Sequence, residues 1–355
     1  MKVAVYTIAL NEEQFVAPWA ESAKDADYLL IADTGSTDKT VALAKSLGVN
    51  VVNVTVKPWR FDVARNASLA ALPADIDYCI ALDMDEVLLP GWRDELQKAF
   101  DEKATRPRYQ YTWNWKDAER TIPGLQYGGD KIHSRFGYMW KHPVHEVLIA
   151  YGETKEVQKW VGLEIHHHAD DSKPRSQYLP LLAQAVQEGP EDDRNAFYYA
   201  RELFFYGRFN EALSEFKRHL ELPRATWPPE RAASMRYIAK IDRKNAVEWL
   251  DKAIAQAPGR REALVELAQV FHDSANWEQS LLAAEQALSI KEKPLDYLCE
   301  EFAWNSNPYD LAALAAYNLK KYELALEYGK IAVSLSPSEQ RLANNLTYYL
   351  AAVAS

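Results

Sequence analysis

Two aspartates, Asp83 and Asp85, are the sharpest chemical feature of this sequence. They form an Asp-x-Asp in Ile80-Ala81-Leu82-Asp83-Met84-Asp85-Glu86, at the end of an apolar run. Carboxylates two residues apart, just past a strand, can grip a divalent hard cation and, through it, a diphosphate. An isolated tripeptide of this kind is more often a solvated acidic turn capping the next helix, so its setting decides. Three further polar elements share that setting. Thr7-Ile8-Ala9-Leu10-Asn11-Glu12 and Asp33-Thr34-Gly35-Ser36-Thr37-Asp38 each follow an apolar run, and Trp59-Arg60-Phe61-Asp62-Val63-Ala64-Arg65-Asn66 precedes the run that carries Asp83.

The elements that must position these residues alternate. Strand patterns at Val3–Ile8, Tyr28–Ala32, Val49–Val56 and Tyr78–Leu82 are separated by helix patterns at Glu13–Ala26, Thr37–Leu47 and Asp62–Leu72, the second capped by Ser36 or Thr37. Apolar strands joined by helices predict a parallel sheet covered on both faces, with its ligand site at the carboxyl ends of the strands. Ser36, Thr37 and Asp38 also fit ordinary helix-capping chemistry. Residues 91–170 are aromatic-rich and read as added strands and loops of the same domain, ending in a strand at Val161–His168. Asp170–Arg175 reads as the start of a connection to the remainder of the chain.

Together the four polar elements resemble the nucleotide-sugar-binding half of a family 2 glycosyltransferase of GT-A fold, over roughly residues 1–170. The first strand ends in Asn-Glu, the second in an Asp-x-Gly-Ser-x-Asp pattern, a helix carries Ala-Arg-Asn, and a strand carries Leu-Asp-x-Asp-Glu. A redox dinucleotide fold is disfavoured, because no GxGxxG follows the first strand. The resemblance implies that Thr7 and Glu12 line a base and ribose pocket, that Asp33 accepts from the base, and that Arg65 faces the base or the phosphates. It further implies that Asp83 reaches the ribose or the metal and that Asp85 binds Mn²⁺ or Mg²⁺, which neutralises the departing nucleoside diphosphate. Thr34 stands where the family often has a second Asp, which leaves the base less defined than the site.

Phe136-Gly137-Tyr138-Met139-Trp140-Lys141-His142-Pro143-Val144-His145-Glu146 is similar to the Trp-x-x-x-Val-His-Glu segment of a subgroup that includes lipopolysaccharide-core transferases and bacteriocin peptide S-glycosyltransferases. An inverting displacement needs a base for the acceptor's proton. Glu146 is the candidate, with His145 orienting it or touching phosphate, or packing in the core. Lys131, Arg135 and Lys141 make the neighbourhood basic, for phosphate contact or for a solvated loop. In Leu163-Glu164-Ile165-His166-His167-His168, strand alternation lets either His166 with His168, or His167 alone, enter one site. Relatives write Ile-x-Ile-x-His here, a register that implies His167 as a third metal ligand beside Asp83 and Asp85. Trp113, Trp115, Tyr127 and Trp140 offer stacking faces for a sugar, or core.

From about Arg194 the pattern becomes helix after helix. Ala212, Ala246 and Ser280 recur at 34-residue intervals, as do Leu203, Tyr237 and Phe271, and Ala325 resumes the series after an 11-residue excess placed around 293–308. Small residues suit close helix crossings, and Pro223, Pro258 and Pro337 punctuate helix ends. This is similar to the tetratricopeptide (TPR) repeat, weakest in the second unit, where Lys240–Arg243 lacks the glycine. The expected architecture is an α/β GT-A domain, Rossmann-like and mainly parallel, at 1–190, followed by an all-α TPR-like domain of about four hairpins at 191–355.

Composition narrows the partners. The chain of 355 residues carries 41 Lys and Arg against 51 Asp and Glu. The deficit is spread evenly, 19 against 25 in residues 1–170 and 22 against 26 beyond, so nucleic acid and anionic membranes are disfavoured. No apolar stretch predicts a signal peptide or a transmembrane segment. Cys79 and Cys299 form no metal or disulfide pattern, which fits a cytoplasmic setting. The resulting expectation is an inverting, metal-dependent transferase of the hexosyl type, moving a sugar from a nucleotide sugar, a UDP-sugar first, to a glycan, lipid-linked saccharide, peptide or protein. The repeats would hold that acceptor or mediate a homodimer. The alternative is a non-catalytic nucleotide-binding scaffold built around the TPR-like repeats.

Overall fold

The computed structural model describes residues 1–169 and 178–355, so the connection read at Asp170–Arg175 lies outside the described residues. The chain divides into two compact units, Met1–Ala185 and Val186–Ser355.

The first unit is a mixed α/β domain. Its main sheet is built from β1 (Val3–Ala9), β2 (Tyr28–Asp33), β3 (Asn50–Asn53) and β4 (Tyr78–Ala81), connected by α1 (Val16–Ser22), α2 (Thr40–Ser46) and α3 (Phe61–Ala70). The strand order is β3-β2-β1-β4, all parallel. β1 is apolar on both faces because both are covered. Val3 and Val5 join one core with Ile31, Ile80, Trp19 and Leu96, while Ala4 and Tyr6 join another with Leu30, Leu69 and Trp140.

Beyond β4 the chain leaves this sheet. β5 (Glu86–Leu88) belongs to a second sheet, so the turn Leu82–Asp85 is the hinge between the two. α4 (Trp92–Asp101), β6 (Arg106–Thr112), β7 (Gln126–Gly129), β8 (Ile132–Ser134), β9 (Tyr138–Lys141), β10 (Val147–Ala150) and β11 (Gln158–His167) complete the unit, with α5 (Tyr178–Glu188) at its boundary. The second sheet runs β5-β11-β6-β7, with β11 antiparallel to β5 and parallel to β6. β8 returns to the first sheet, antiparallel to β4, and β9 and β10 form a separate hairpin.

The loop after β2 departs from expectation. The helix begins at Thr40, and neither Ser36 nor Thr37 caps it: Asp38 Oδ1 takes the Thr40 N–H at 2.9 Å. Ser36 Oγ instead accepts from the Asn11 amide at 2.9 Å, and the Thr37 amide donates to Asn11 Oδ1 at 2.7 Å. The first two strand ends are thereby laced together.

The second unit is all-helical among its described residues: α6 (Asp193–Phe205), α7 (Phe209–Glu221), α8 (Pro228–Ile241), α9 (Ala246–Gln256), α10 (Glu262–Asp273), α11 (Trp277–Ser289), α12 (Asn307–Asn318), α13 (Tyr322–Leu335) and α14 (Gln340–Ala354). Successive helices pair into four hairpins, α6–α7 through α12–α13, with α14 packed on the last. The periodic small residues Ala212, Ala246, Ser280 and Ala325 are all buried on the second helix of each hairpin. Pro223, Pro258 and Pro337 each fall two residues past a helix end.

Gly207, Ala275 and Lys320 occupy the same turn in hairpins one, three and four, all left-handed with φ of 72°, 56° and 60°. Only glycine adopts that conformation without strain, and a Cβ on Gly207 would meet nothing, so the cost of a side chain there is purely conformational. Ala275→Gly is expected to stabilise the helical unit by about 1 kcal/mol, and Gly207→Ala to cost a similar amount. Paired thermal denaturations would check both signs.

Candidate functional site

The site is assembled where the carboxyl ends of β1, β2 and β4 meet the inter-sheet turn and the β9–β10 loop. Its hub is Arg65, buried on α3. The guanidinium donates from Nη2 to Asp83 Oδ1 at 2.7 Å and from Nε to Glu146 Oε1, with the Trp140 ring 5.0 Å below. Asn66, one residue on, exchanges two bonds with the Trp140 backbone, its Nδ2 donating to the carbonyl at 2.8 Å and its Oδ1 accepting the amide at 2.9 Å. The Phe61 amide at the start of α3 donates to the Pro143 carbonyl at 2.9 Å. One helix thus fixes both ends of the Trp140–Glu146 segment, and this is the physical content of its Ala-Arg-Asn signature.

That segment is the loop of the β9–β10 hairpin. His142 and His145 both take positive φ, 87° and 50°, which sharpens the turn and delivers Glu146 to Arg65. His145 lies edge-on to Tyr178, ring centres 5.6 Å apart. Beneath, Trp140 Nε1 donates to the Tyr6 hydroxyl at 2.8 Å, which bonds His133 Nε2 at 3.0 Å. His133 Nδ1 is spent on the Ser134 carbonyl at 2.8 Å, so its other nitrogen is the acceptor. Burial pushes His133 down to about 3, in keeping with a neutral ring.

Lys131 is the second cation. Its Nζ lies 2.7 Å from both Asp83 Oδ2 and Glu86 Oε1. It reaches them because β8 pairs with β4, whose Ala81 amide donates to the Lys131 carbonyl at 3.1 Å. Gly129, two residues earlier, lies so close under the Tyr109 ring that a Cβ would collide with it. Burial alone would push Lys131 down, but Asp83 and Glu86 hold it well above the usual lysine value. Burial likewise opposes ionisation of Asp83, yet Arg65 and Lys131 outweigh it and hold the carboxyl well below the usual range. Glu86 is shifted upward, chiefly by burial, while accepting from Tyr111 at 2.6 Å and from the Asp83 amide at 2.8 Å.

Asp85 faces the other way. Its Oδ2 is 3.3 Å from His167 Nε2. The His167 Nδ1–H donates to the Trp113 carbonyl at 2.8 Å, and the ring stacks on Trp113 at 4.5 Å and 17°. The Trp115 indole donates to the His167 carbonyl at 3.0 Å. Burial disfavours the charged ring, but Asp85 overrides it and raises the His167 pKa. The register Leu163, Ile165, His167 points into the core as expected, while His166 and His168 are half-buried beside Trp115.

The structure therefore brings together Arg65, Asp83 and Glu146 in one cluster and Asp85 with His167 in an adjoining one. It does not gather Asp83, Asp85 and His167 into a single ligand set: both Asp83 oxygens are engaged by cations, and no group of three metal-ligating side chains occurs among the described residues. Arg65, expected to face the base or phosphates, is instead committed to carboxylates. Asp33 ends β2 and folds its own loop, accepting the Gly35 amide at 3.1 Å and the Ser36 amide at 3.2 Å. Thr7 is buried in β1, its hydroxyl on the Ile8 carbonyl at 3.2 Å, and Glu12 is buried with its amide on Thr40 Oγ1 at 2.7 Å. The bridging of Asp83 and Glu86 by Lys131 is not written in the sequence. Its one local signal is that Glu86 directly follows Asp-x-Asp.

The strand ends of this α/β domain thus carry a network of carboxylates, a histidine and two cations. Residues 4–146 match the model of the family Glycosyl transferase family 2. Curated relatives include an uncharacterized glycosyltransferase of Rickettsia bellii, 36% identical over 100 residues, covering 28% of this chain and 33% of that one. One from Rickettsia conorii is 34% identical over 100 residues, covering 28% and 34%. The chain spans about a third of the length of these relatives. A TPR repeat-containing protein of Synechococcus elongatus is 33% identical over 105 residues, 28% of this chain and 25% of that one. Among solved structures, MamA is similar over 47% of this chain and 91% of its own, at 17% identity and a TM-score of 0.38. YrrB, a TPR protein, is similar over 48% and 82%, at 15% identity and a TM-score of 0.39.

Proposed function

We propose that the chain is an inverting, metal-dependent glycosyltransferase of the hexosyl type that moves a sugar from a nucleotide sugar, a UDP-sugar first, to a glycan, lipid-linked saccharide, peptide or protein acceptor. The observation that carries this reading is that Arg65 joins Glu146 to Asp83, two residues before Asp85. Glu146 is oriented by Arg65, and Asp85, at the end of the inter-sheet turn, is paired with His167.

Asp85 and His167 fit a hard or borderline divalent cation. They offer a carboxylate oxygen and an imidazole Nε2 whose tautomer is set by the Trp113 carbonyl, the supporting hydrogen bond that metal-bound histidines use. Asp83 does not join them as a direct ligand, and its proposed part is to anchor Arg65 and Lys131 beside the phosphates and the ribose. Asp85 and His167 would hold Mn²⁺ or Mg²⁺, which would supply Lewis-acid stabilisation of the departing diphosphate.

The rest of the work falls to side chains. Oε1 of Glu146 is fixed by Arg65, which directs Oε2 to take the acceptor's proton, and His145 borders it in the same loop. Thr7, Glu12 and Asp33, at the ends of the two neighbouring strands, would shape the nucleoside pocket. The helical unit is proposed to hold the acceptor or a second copy. No helix among the described residues is long and apolar enough to cross a membrane. Cys79 and Cys299 are both free and buried, which accords with a reducing, cytoplasmic placement.

A thermal-shift titration tests the donor site. Saturating UDP with Mn²⁺, at a hundredfold over Kd, should stabilise the protein by about 2.7 kcal/mol. Asp85→Ala and His167→Ala should each abolish the metal-dependent part of that shift. A shift by UDP that is indifferent to metal and to both substitutions would remove the proposed metal site.

A further inference from the structure

The step from Ser280 to Ala325 is 45 residues where the other repeat steps are 34. The excess lies between α11 and α12, and residues 290–300 belong to no helix or strand. They fold back across the first three hairpins. Tyr297 lies parallel to Tyr198 of α6, ring centres 6.0 Å apart at 14°, and its hydroxyl donates to Glu230 Oε2 of α8 at 2.6 Å. Asp296 takes Arg260 Nη1 at 2.6 Å, and Glu300 takes Arg236 Nη1 at 2.8 Å. Leu298, 4% exposed, lines one small cavity together with Ala232 of α8, Ala253 of α9, and Arg260, Glu262 and Ala263 at the start of α10.

The face they cover is the one on which successive first helices meet. Arg236 of α8 also binds Glu266 of α10 at 2.6 Å, and α8 packs against both α6 and α10. In stacked helix pairs that face is the inner, ligand-bearing surface. Its chemistry is specific. Arg194 and Arg201 lie 4.7 and 4.5 Å from the Tyr198 ring, and Arg236 and Arg260 give their guanidinium groups to Glu300 and Asp296 of the segment. Guanidinium groups around an aromatic plane select carboxylates next to a ring. Leu295-Asp296-Tyr297-Leu298-Cys299-Glu300 offers that set, and it is held chiefly by side chains, with the Glu300 amide on Glu262 Oε1 at 3.1 Å.

We propose that residues 294–304 are an internal ligand of the inner face of hairpins one to three, and that the partner this face takes is an acidic, tyrosine-bearing segment of another protein that displaces them. This does not depend on the transferase reading.

The test uses the full chain with Asp296→Ala, Tyr297→Ala and Glu300→Ala combined. The probe is a labelled synthetic peptide of residues 294–304 with Ser in place of Cys299. The variant should bind it at least about tenfold more tightly than the wild type, whose own segment competes, and a probe lacking the tyrosine should lose that gain. Equal binding by a variant of native helicity and melting temperature would overturn the proposal. Hydrogen exchange on the wild type gives a second readout should the variant fail to fold. Amides 297–303 should exchange at least about tenfold faster than those in the middle of α8 and α10, through an opening short of global unfolding. Exchange of the segment only with the core would mean that it is a fixed part of the fold, and would also overturn the proposal.

Discussion

Glu146→Gln is expected to lower nucleotide-sugar turnover by about 10²–10⁴-fold, the range that a positioned general base contributes. The substitution is nearly isosteric, and a Gln Oε1 still accepts from Arg65 Nε, so the loop and the hub keep their shape. What disappears is the anionic oxygen that takes a proton as the new bond forms. Binding of UDP and Mn²⁺ should be retained, because the bonds that hold Asp85 and His167 do not involve Glu146. Steady-state kinetics beside calorimetric nucleotide binding separate the two effects. A near-normal rate would end the assignment of Glu146 as the base.

Arg65→Leu is expected to be the most damaging substitution for stability. Arg65 is 7% exposed and serves two carboxylates at once. Removing one partner of a buried pair costs about 3–5 kcal/mol, here chiefly because Glu146 loses its ion-pair partner while nearly buried, whereas Asp83 keeps Lys131. On a unit of this size that is a fall of roughly 10 °C in its melting temperature. Arg65→Lys should recover part of it, since a single ammonium restores charge without the fork that reaches Asp83 and Glu146 together. The pH dependence follows from Asp83. Its folded carboxyl lies below the unfolded value near 4, so its stabilising contribution is present above that value and is lost as pH falls toward the folded one. The gap between wild type and Arg65→Leu should therefore narrow on acidification, measured by urea unfolding of the N-terminal transition. A gap that widens would place the stabilising charge elsewhere.

Features written within a few residues of chain are legible without the structure. The four parallel strands show as apolar runs and the helical hairpins as a 34-residue recurrence, whereas alternation alone leaves His167 or its two neighbours inward and it is the family register that picks His167. The hub is not legible. Arg65, Asp83, Lys131 and Glu146 are separated by tens of residues, and they meet because β8 turns back antiparallel onto β4 while the β9–β10 loop docks on α3. No local pattern encodes either event. The resemblance places Arg65 near phosphate by analogy, whereas its neighbours here are two carboxylates. Asp83 and Asp85 look alike in sequence, yet the change of sheet between β4 and β5 sends one toward two cations and the other toward a histidine. The segment at 293–308 is visible only as a surplus of length, because its partners Tyr198 and Arg236 lie about three and two repeats upstream.

Metal-assisted sugar transfer by Asp85, His167 and Glu146 is tested most directly by release of UDP from a panel of UDP-sugars. Release is followed with and without Mn²⁺ for wild type, Asp85→Ala and Glu146→Gln. Turnover of at least one donor should require Mn²⁺, disappear in Asp85→Ala and fall steeply in Glu146→Gln. Turnover that proceeds equally without metal and survives Asp85→Ala would contradict this assignment.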